Sequence, residues 1–111
     1  MDFSQDLIKG SIVPIILSLL KGQAMYGYEI VKVVNERTNG AFEWKEGTLY
    51  PCLHQLEADG LLHSAWRDAP SGKPRKYYRI TRKGRADLAS RTEEWVRFSG
   101  AVNAVLMGAG A

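Results

Sequence analysis

Apolar residues recur at three- and four-residue intervals along the first sixty positions, and this spacing predicts three helices. The first is expected over about residues 4–21, the second over about 26–38 and the third over about 47–59. Asn39-Gly40 and Gly60 follow the second and third segments with residue types that commonly end helices. Because the first helix is apolar on more than one side, we expect it to contact a second subunit as well as its own domain.

After residue 61 the spacing changes to two, which predicts a β-hairpin. Its strands are expected over 62–66 and 76–80, joined by a segment rich in turn-forming residues at 68–74. Thr81 then provides a good N-cap for a last helix over about residues 82–107. Side chains in this helix keep a four-three spacing that predicts contact with a partner helix: Leu88, Thr92, Trp95, Ser99, Val102 and Leu106.

The third helix has two unlike faces. Three leucines fall within a narrow arc and predict the buried face: Leu49, Leu53 and Leu56. The opposite face carries Thr48, Pro51, Gln55 and Ala58, with Tyr50 and His54 at its edge. The acids Glu57 and Asp59 are expected at the sides of this face, so it is suited to approach DNA, whose phosphates repel carboxylates.

The net charge of the 111-residue chain is only +3, but its basic residues are concentrated around the predicted hairpin. Between residues 67 and 85 there are eight basic side chains and one acid, Asp68. Such an excess suits a polyanionic partner, although a solvated basic face without a partner has the same composition. The length and composition indicate one compact domain, and domains of this size often gain stability by pairing.

Three helices followed by a hairpin with a basic tip are arranged as in a winged helix-turn-helix, a mainly α fold with a small β-hairpin. We therefore expect residues 1–81 to form a DNA-binding domain that includes the N-terminal helix. Residues 82–111 are expected to form a dimerisation helix with a short tail. In such a domain the third helix enters the major groove and the hairpin tip contacts the DNA backbone.

Ten residues are expected to contact DNA: Tyr26, Lys45, Thr48, Tyr50, Pro51, His54, Gln55, Lys73, Arg75 and Lys76. The three basic residues of the hairpin tip would bind phosphate, and Gln55 has the donor and acceptor needed to bond adenine in a bidentate manner. Tyr26 could instead be a packed aromatic residue, and Thr48 could cap the third helix. Tyr50 or His54 could pack against the hairpin rather than face DNA.

Three strings in the sequence resemble the signatures of the PadR family of bacterial transcriptional regulators: YGYEI at 26–30, EGTLYPCLHQLEADGLL at 46–62 and RKYYRITRKG at 75–84. The single short C-terminal helix is similar to that of the small subgroup of the family, which forms dimers through its first and last helices. The resemblance implies a homodimer that binds double-stranded DNA at a pseudo-palindromic operator. It also implies repression, which is the family's usual mode.

That subgroup includes regulators that bind flat aromatic drugs between a pair of tryptophans at the dimer centre. Trp95 matches the position of that tryptophan, so the resemblance implies a planar aromatic small molecule as effector. Carried over in the same way, four further residues would face the ligand: Leu7 and Pro14 on the first helix, and Thr92 and Ser99 on the last. Without the resemblance, Trp95 would be interpreted as interface packing.

A dimeric DNA-binding repressor is the leading expectation, and a winged-helix module that binds proteins without specific DNA contact is the alternative. An enzyme is not expected, since the sequence has no activated nucleophile, carboxylate pair or phosphate-binding glycine loop. No cofactor or metal is expected, because Cys52, His54 and His63 do not have the spacing of zinc ligands. The single cysteine and the lack of a signal peptide or membrane span indicate the cytoplasm.

Overall fold

The computed structural model of the protein describes residues 3–108. Over these residues it has four helices and three strands: α1 (Gln5–Gly22), β1 (Met25–Tyr26), α2 (Gly27–Arg37), α3 (Glu46–Ala58), β2 (Leu62–Asp68), β3 (Pro74–Ile80) and α4 (Arg82–Leu106). The four predicted helices are confirmed, with ends within one residue of those expected, and both hairpin strands extend two residues further toward the tip. Residues 109–111 of the predicted tail lie outside the described residues.

The sheet is antiparallel and three-stranded, with β3 between β1 and β2. The sequence pattern does not predict β1, because a two-residue strand is too short to show alternation. Tyr26, expected inside the second helix, pairs with Tyr77 in this strand and is the N-cap residue of α2. Its backbone N–H donates to the Glu29 carboxylate at 3.2 Å. The start of α2 is therefore attached to the hairpin β2–β3, which we call the wing.

The core lies between the first three helices and the sheet. Its largest fully buried side chains come from each of these elements: Ile16, Leu17, Leu20, Ile30, Val34, Leu49, Leu53 and Tyr78. Leu56 is buried too, so the predicted inner face of α3 is confirmed. This face fixes the rotation of α3 about its axis, and its other side is thereby turned to solvent. No helix over residues 3–108 is long and apolar enough to cross a membrane.

A tight corner joins the end of α3, the wing and the start of α4. Thr81 is the N-cap of α4, as predicted, since its hydroxyl accepts from the Gly84 N–H at 3.0 Å. The same hydroxyl donates to the Gly60 carbonyl at 2.7 Å, and the Lys83 ammonium donates to the Asp59 carbonyl at 2.9 Å. A Cβ on Gly84 would collide with the Leu61 carbonyl and lie 2.7 Å from Ile80. The corner therefore requires glycine.

Most of α4 is exposed. Gly84 and Leu88 are its only buried residues over the range that the structure describes, and both belong to its first third. α4 packs against α1, and in its first turn the Arg85 guanidinium donates to the Lys21 carbonyl at 3.3 Å. The predicted four-three seam continues beyond Leu88, where large apolar side chains face solvent rather than the core of the same chain.

Candidate nucleic-acid interface

The outer face of α3 is solvent-exposed along its length. Thr48, Pro51, Gln55 and Ala58 are all exposed, opposite the buried leucines. The N-cap position belongs to Lys45, whose carbonyl accepts from the Thr48 N–H at 3.0 Å. Thr48 thus lies inside the first turn, and the alternative that it caps the helix is wrong. Lys45 is exposed at the end where an approaching phosphate would meet the helix N-terminus.

A pocket of about 420 Å³ opens between the N-terminal ends of α2 and α3 and the wing. We call it the wing pocket. Five of the ten residues predicted to contact DNA line it: Tyr26, Tyr50, His54, Arg75 and Lys76. The other five do not line it, and all five are exposed, on the tip of the wing or along α3 and its N-cap: Lys45, Thr48, Pro51, Gln55 and Lys73.

Cations in the wing lie close to aromatic rings. The Arg75 guanidinium is 5.7 Å from the centre of the Tyr26 ring, and the Lys76 ammonium is 5.7 Å from that of Tyr78. On the same side of the sheet as Arg75 and Tyr26, the Arg67 guanidinium lies 3.8 Å from the centre of the Tyr77 ring. These contacts hold long basic side chains near defined positions, and Arg67 and Arg75 remain exposed to solvent.

Two exposed aromatic residues at the pocket were not predicted. Trp66 is 70% exposed and Tyr28 is 58% exposed, and both line the wing pocket. Trp66 stands opposite Lys76 in the β2–β3 register, on the side of the sheet that faces α3. The signal that could have identified Trp66 is a tryptophan among the small, polar and charged residues that follow Leu62 in β2.

Glu57, on the flank of α3, is bonded to the wing. Its carboxylate accepts from the Ser64 hydroxyl at 2.6 Å and from the Ser64 N–H at 3.1 Å, and the Lys76 ammonium lies 3.7 Å away. The bond from the Ser64 hydroxyl is the main reason that the pKa of Glu57 is lowered; burial opposes it, and Lys76 and the Ser64 N–H lower the pKa further. The carboxylate is thus directed at the wing rather than at the outer face of α3, and it fixes one against the other.

Tyr50 lines the wing pocket beside the start of α2. A Cβ on Gly27 would lie 2.7 Å from the Tyr50 hydroxyl, so the glycine allows the ring to lie against the start of α2. Burial raises the pKa of Tyr50, Glu46 raises it further, and Arg75 acts in the opposite direction. The phenol therefore stays protonated at neutral pH and can donate a hydrogen bond. His54 lies beside it, with ring centres 6.4 Å apart.

Asp59, expected at the side of the outer face of α3, bonds to a residue of that face. The Gln55 side-chain Nε2 donates to the Asp59 carboxylate at 3.0 Å, one turn further along the helix. The Asp59 backbone N–H also donates to the Gln55 carbonyl at 2.9 Å. A carboxylate is therefore attached to the one amide side chain of this face.

Three of the five residues predicted to bind a ligand come together. Pro14, Thr92 and Trp95 line a mainly apolar pocket of about 440 Å³ between α1, the end of α2 and α4, which we call the Trp95 pocket. Trp95 is 45% exposed. Leu7, which is 60% exposed, and Ser99, whose hydroxyl donates to the Val96 carbonyl at 3.3 Å, do not line this pocket.

Metal and thiol chemistry find no support in the geometry. Between residues 3 and 108 there is no group of three or more His, Cys, Asp or Glu side chains placed to hold a metal ion. Cys52 is half-buried beside the core, and burial raises the pKa of its thiol while Arg91 opposes the shift. A thiol with a raised pKa is a poor nucleophile at neutral pH.

Comparison with known proteins places this geometry in a family. The sequence profile of the PadR-like transcriptional regulators matches residues 16–90. An uncharacterised protein of Lysinibacillus sphaericus is 41% identical over 90 residues, which cover 81% of this chain and 83% of that protein. A transcriptional regulator from Clostridium thermocellum has a similar structure, with a TM-score of 0.85 at 36% identity and coverage of 94% of this chain and 98% of that one. A PadR family regulator from Eggerthella lenta gives 0.80 at 36% identity, covering 91% and 86%.

All ten residues expected to contact DNA lie within the matched range, whereas the five expected to contact a ligand lie on either side of it. The matched range also contains α2, α3 and the wing, so it covers the whole winged helix except the first part of α1. Members of the family are transcriptional regulators rather than enzymes, which agrees with the sequence. With its winged fold, its signatures and its similarity to these regulators, the chain belongs to the PadR family of DNA-binding transcriptional regulators.

Proposed function

We propose that this regulator binds double-stranded DNA as a homodimer at a pseudo-palindromic operator, and that it represses transcription until a planar aromatic ligand binds between its subunits. The observation that carries the DNA-binding part is the position of the outer face of α3 beside the basic wing, across the wing pocket. A winged helix uses these two surfaces together, one for base edges and one for the backbone. Because its target is chromosomal DNA, the protein acts in the cytoplasm.

The proposed contacts divide by chemistry. Gln55, with Thr48 and Pro51 nearer the start of α3, approaches base edges in the major groove, where donors, acceptors and small groups can be read. Lys45 and the wing cations contact phosphates, which supply affinity without sequence information.

The wing pocket takes the sugar–phosphate backbone between these two surfaces. Tyr50 and His54 offer hydrogen bonds from its α3 side, while Arg75 and Lys76 offer charge from the wing.

A second subunit is proposed to cover α4. Beyond Leu88 this helix exposes a run of large apolar side chains: Trp95, Val96, Phe98, Val102, Val105 and Leu106. A contiguous apolar surface of this kind marks an interface. We therefore assign residues 82–111 to dimerisation and residues 1–81 to DNA binding. A two-fold dimer would place its two recognition helices in successive major grooves, about 34 Å apart.

The ligand is proposed to stack on Trp95 at the dimer centre. The indole is partly exposed, and half of its neighbours in the Trp95 pocket are apolar, including Pro14 and Phe42. Flat aromatic molecules stack on such a surface with little need for polar contacts. Leu7 and Ser99, which do not line the pocket in one subunit, would face the ligand only across the dimer.

A binding titration tests the division between phosphate and base contacts. The probe is duplex DNA from the region upstream of the protein's own gene, measured by fluorescence anisotropy at two salt concentrations. We expect Lys73→Ala to weaken binding to all sequences alike and to reduce the salt slope by about 1. Gln55→Ala should instead cost about 1–3 kcal/mol at one base pair and leave the salt slope unchanged.

The control is Lys9→Ala, which removes an exposed lysine from α1 and should leave specific affinity close to that of the wild type. Uniform loss of affinity by both Lys73→Ala and Gln55→Ala would contradict the proposed roles. Binding no tighter than that to random DNA, with no salt dependence, would instead favour a wing that binds an acidic protein.

A further inference from the structure

The hydrogen bond between Gln55 and Asp59 determines which part of the Gln55 amide is free. A carboxylate has no hydrogen to donate and can only accept, so the group that faces Asp59 must be the amide Nε2. Of the two hydrogens on Nε2, one is used in this 3.0 Å bond. One N–H and the amide oxygen remain available to a ligand on the outer face.

These remaining groups match one purine and not the other. Adenine presents an acceptor, N7, and a donor, the N6 amino group, in the major groove, whereas guanine presents two acceptors, N7 and O6. An amide with one N–H and its oxygen free can satisfy both positions of adenine. To satisfy both acceptors of guanine it would need both of its hydrogens, and one is held by Asp59.

We infer that Asp59 is a positioning residue that sets the base preference of Gln55, favouring adenine over guanine at the base pair that Gln55 contacts. The inference rests on the base-reading role proposed for Gln55. Asp59 acts through the amide and does not itself need to contact DNA. This accounts for a carboxylate next to a DNA-facing surface, where phosphate repulsion alone would disfavour it.

The placement of Asp59 at the end of α3 supports this role. Its backbone is held on two sides, because its N–H donates to the Gln55 carbonyl and its own carbonyl accepts from Lys83. The carboxylate therefore has a defined position relative to the amide, one helical turn away. The other acid near this face, Glu57, accepts hydrogen bonds from Ser64 on the wing instead and is not bonded to the Gln55 amide.

The test uses the full-length protein and a duplex library randomised over about two helical turns. Selection with the wild type gives the preferred sequence, and single-base variants of that sequence give affinity ratios at each position. Gln55→Ala first identifies the base pair where preference depends on the amide. The ratio of affinities for adenine and guanine at that pair is then measured for Asp59→Ala and Asp59→Asn.

We expect Asp59→Ala to lower the adenine-to-guanine ratio about five- to tenfold at that pair, while ratios at other positions stay unchanged. Asp59→Asn removes the same charge but keeps an acceptor oxygen, so it should retain most of the preference. Thermal unfolding of both variants shows whether the fold is intact. Because the adenine-to-guanine ratio compares two DNA sequences with the same variant, a uniform change in affinity does not alter it.

Three outcomes would overturn the inference. If Gln55→Ala relaxes the preference but Asp59→Ala leaves it intact, Asp59 does not position the amide, and the proposed role of Gln55 stands. If Asp59→Ala and Asp59→Asn lower the ratio equally, charge and not the hydrogen bond is responsible. If Gln55→Ala changes no position, the base-reading role fails together with the inference that depends on it.

Discussion

Gly84 shows how one residue controls the corner between the wing and α4. Its lack of a side chain lets the helix start against the Leu61 carbonyl, beside Ile80. Gly100, in the same helix, has no heavy atom within 4 Å of where a Cβ would lie. Two glycines in one helix therefore differ in what they do: the first permits close packing, and the second only lowers helix propensity.

Substitution of these two glycines should change stability in opposite directions. Gly84→Ala forces a backbone clash that cannot be relieved by a side-chain movement, and we expect a loss of about 2–3 kcal/mol in the free energy of unfolding. Gly100→Ala, the matched control, should gain up to about 1 kcal/mol. Urea unfolding at one fixed protein concentration measures both. Equal effects of the two substitutions would show that the corner can relax.

The sequence predicts individual residues well where their role depends on local spacing. The buried leucines of α3 and the N-cap Thr81 follow from period and capping rules, and the structure confirms them. The bond between Gln55 and Asp59 was not predicted, although the two stand four residues apart on a helix, where side chains commonly meet. The position of Trp66 at the wing pocket depends on which side of the sheet faces α3, and that is a tertiary property.

Among the elements, length determines what the sequence can predict. The four helices and the two long strands repeat their pattern often enough to be recognised, whereas β1 has two residues and is defined only by its pairing with β3. α4 is the reverse case, because its pattern is clear but most of its apolar positions have no partner in the same chain. The four-three spacing of α4 predicts contact with a second subunit, and the structure of a single chain does not include one.

The seam of α4 makes a prediction about oligomeric state. Val102→Glu places a carboxylate on the exposed apolar stripe, and we expect it to convert a dimer into a monomer because a buried, unpaired charge is costly. Ala104→Glu adds the same charge at an exposed position on the opposite side of the helix, about 200° further around, and should leave the dimer intact. Sedimentation velocity distinguishes the two states. A monomeric wild type, or dissociation by both variants, would contradict the assignment.

In the whole molecule, the proposed ligand site at Trp95 is separate from the proposed DNA-binding surface. A ligand can shift the protein only by its difference in affinity between the DNA-binding state and another state. The Trp95 pocket and the wing pocket are lined by different residues, so any coupling must pass through the helices between them.

We expect a planar aromatic dye to quench Trp95 fluorescence and to release DNA over the same concentration range. Trp66→Phe is the background to use, because it removes the exposed wing tryptophan and leaves Trp44, which is buried, as the other indole. Adding Trp95→Ala to this background should abolish both responses. Quenching without DNA release would mean that the dye binds but does not favour either state.

The corner at Gly84 has a mechanical consequence. Lys83 and Thr81 bond the start of α4 to the carbonyls of Asp59 and Gly60, directly after α3, and one residue, Thr81, separates β3 from α4. In the proposed dimer, α3 and α4 of one subunit would therefore rotate together. A change in the angle at which the paired α4 helices cross would then rotate both α3 helices and change the distance between them. The spacing of the operator half-sites would therefore favour one crossing angle over others.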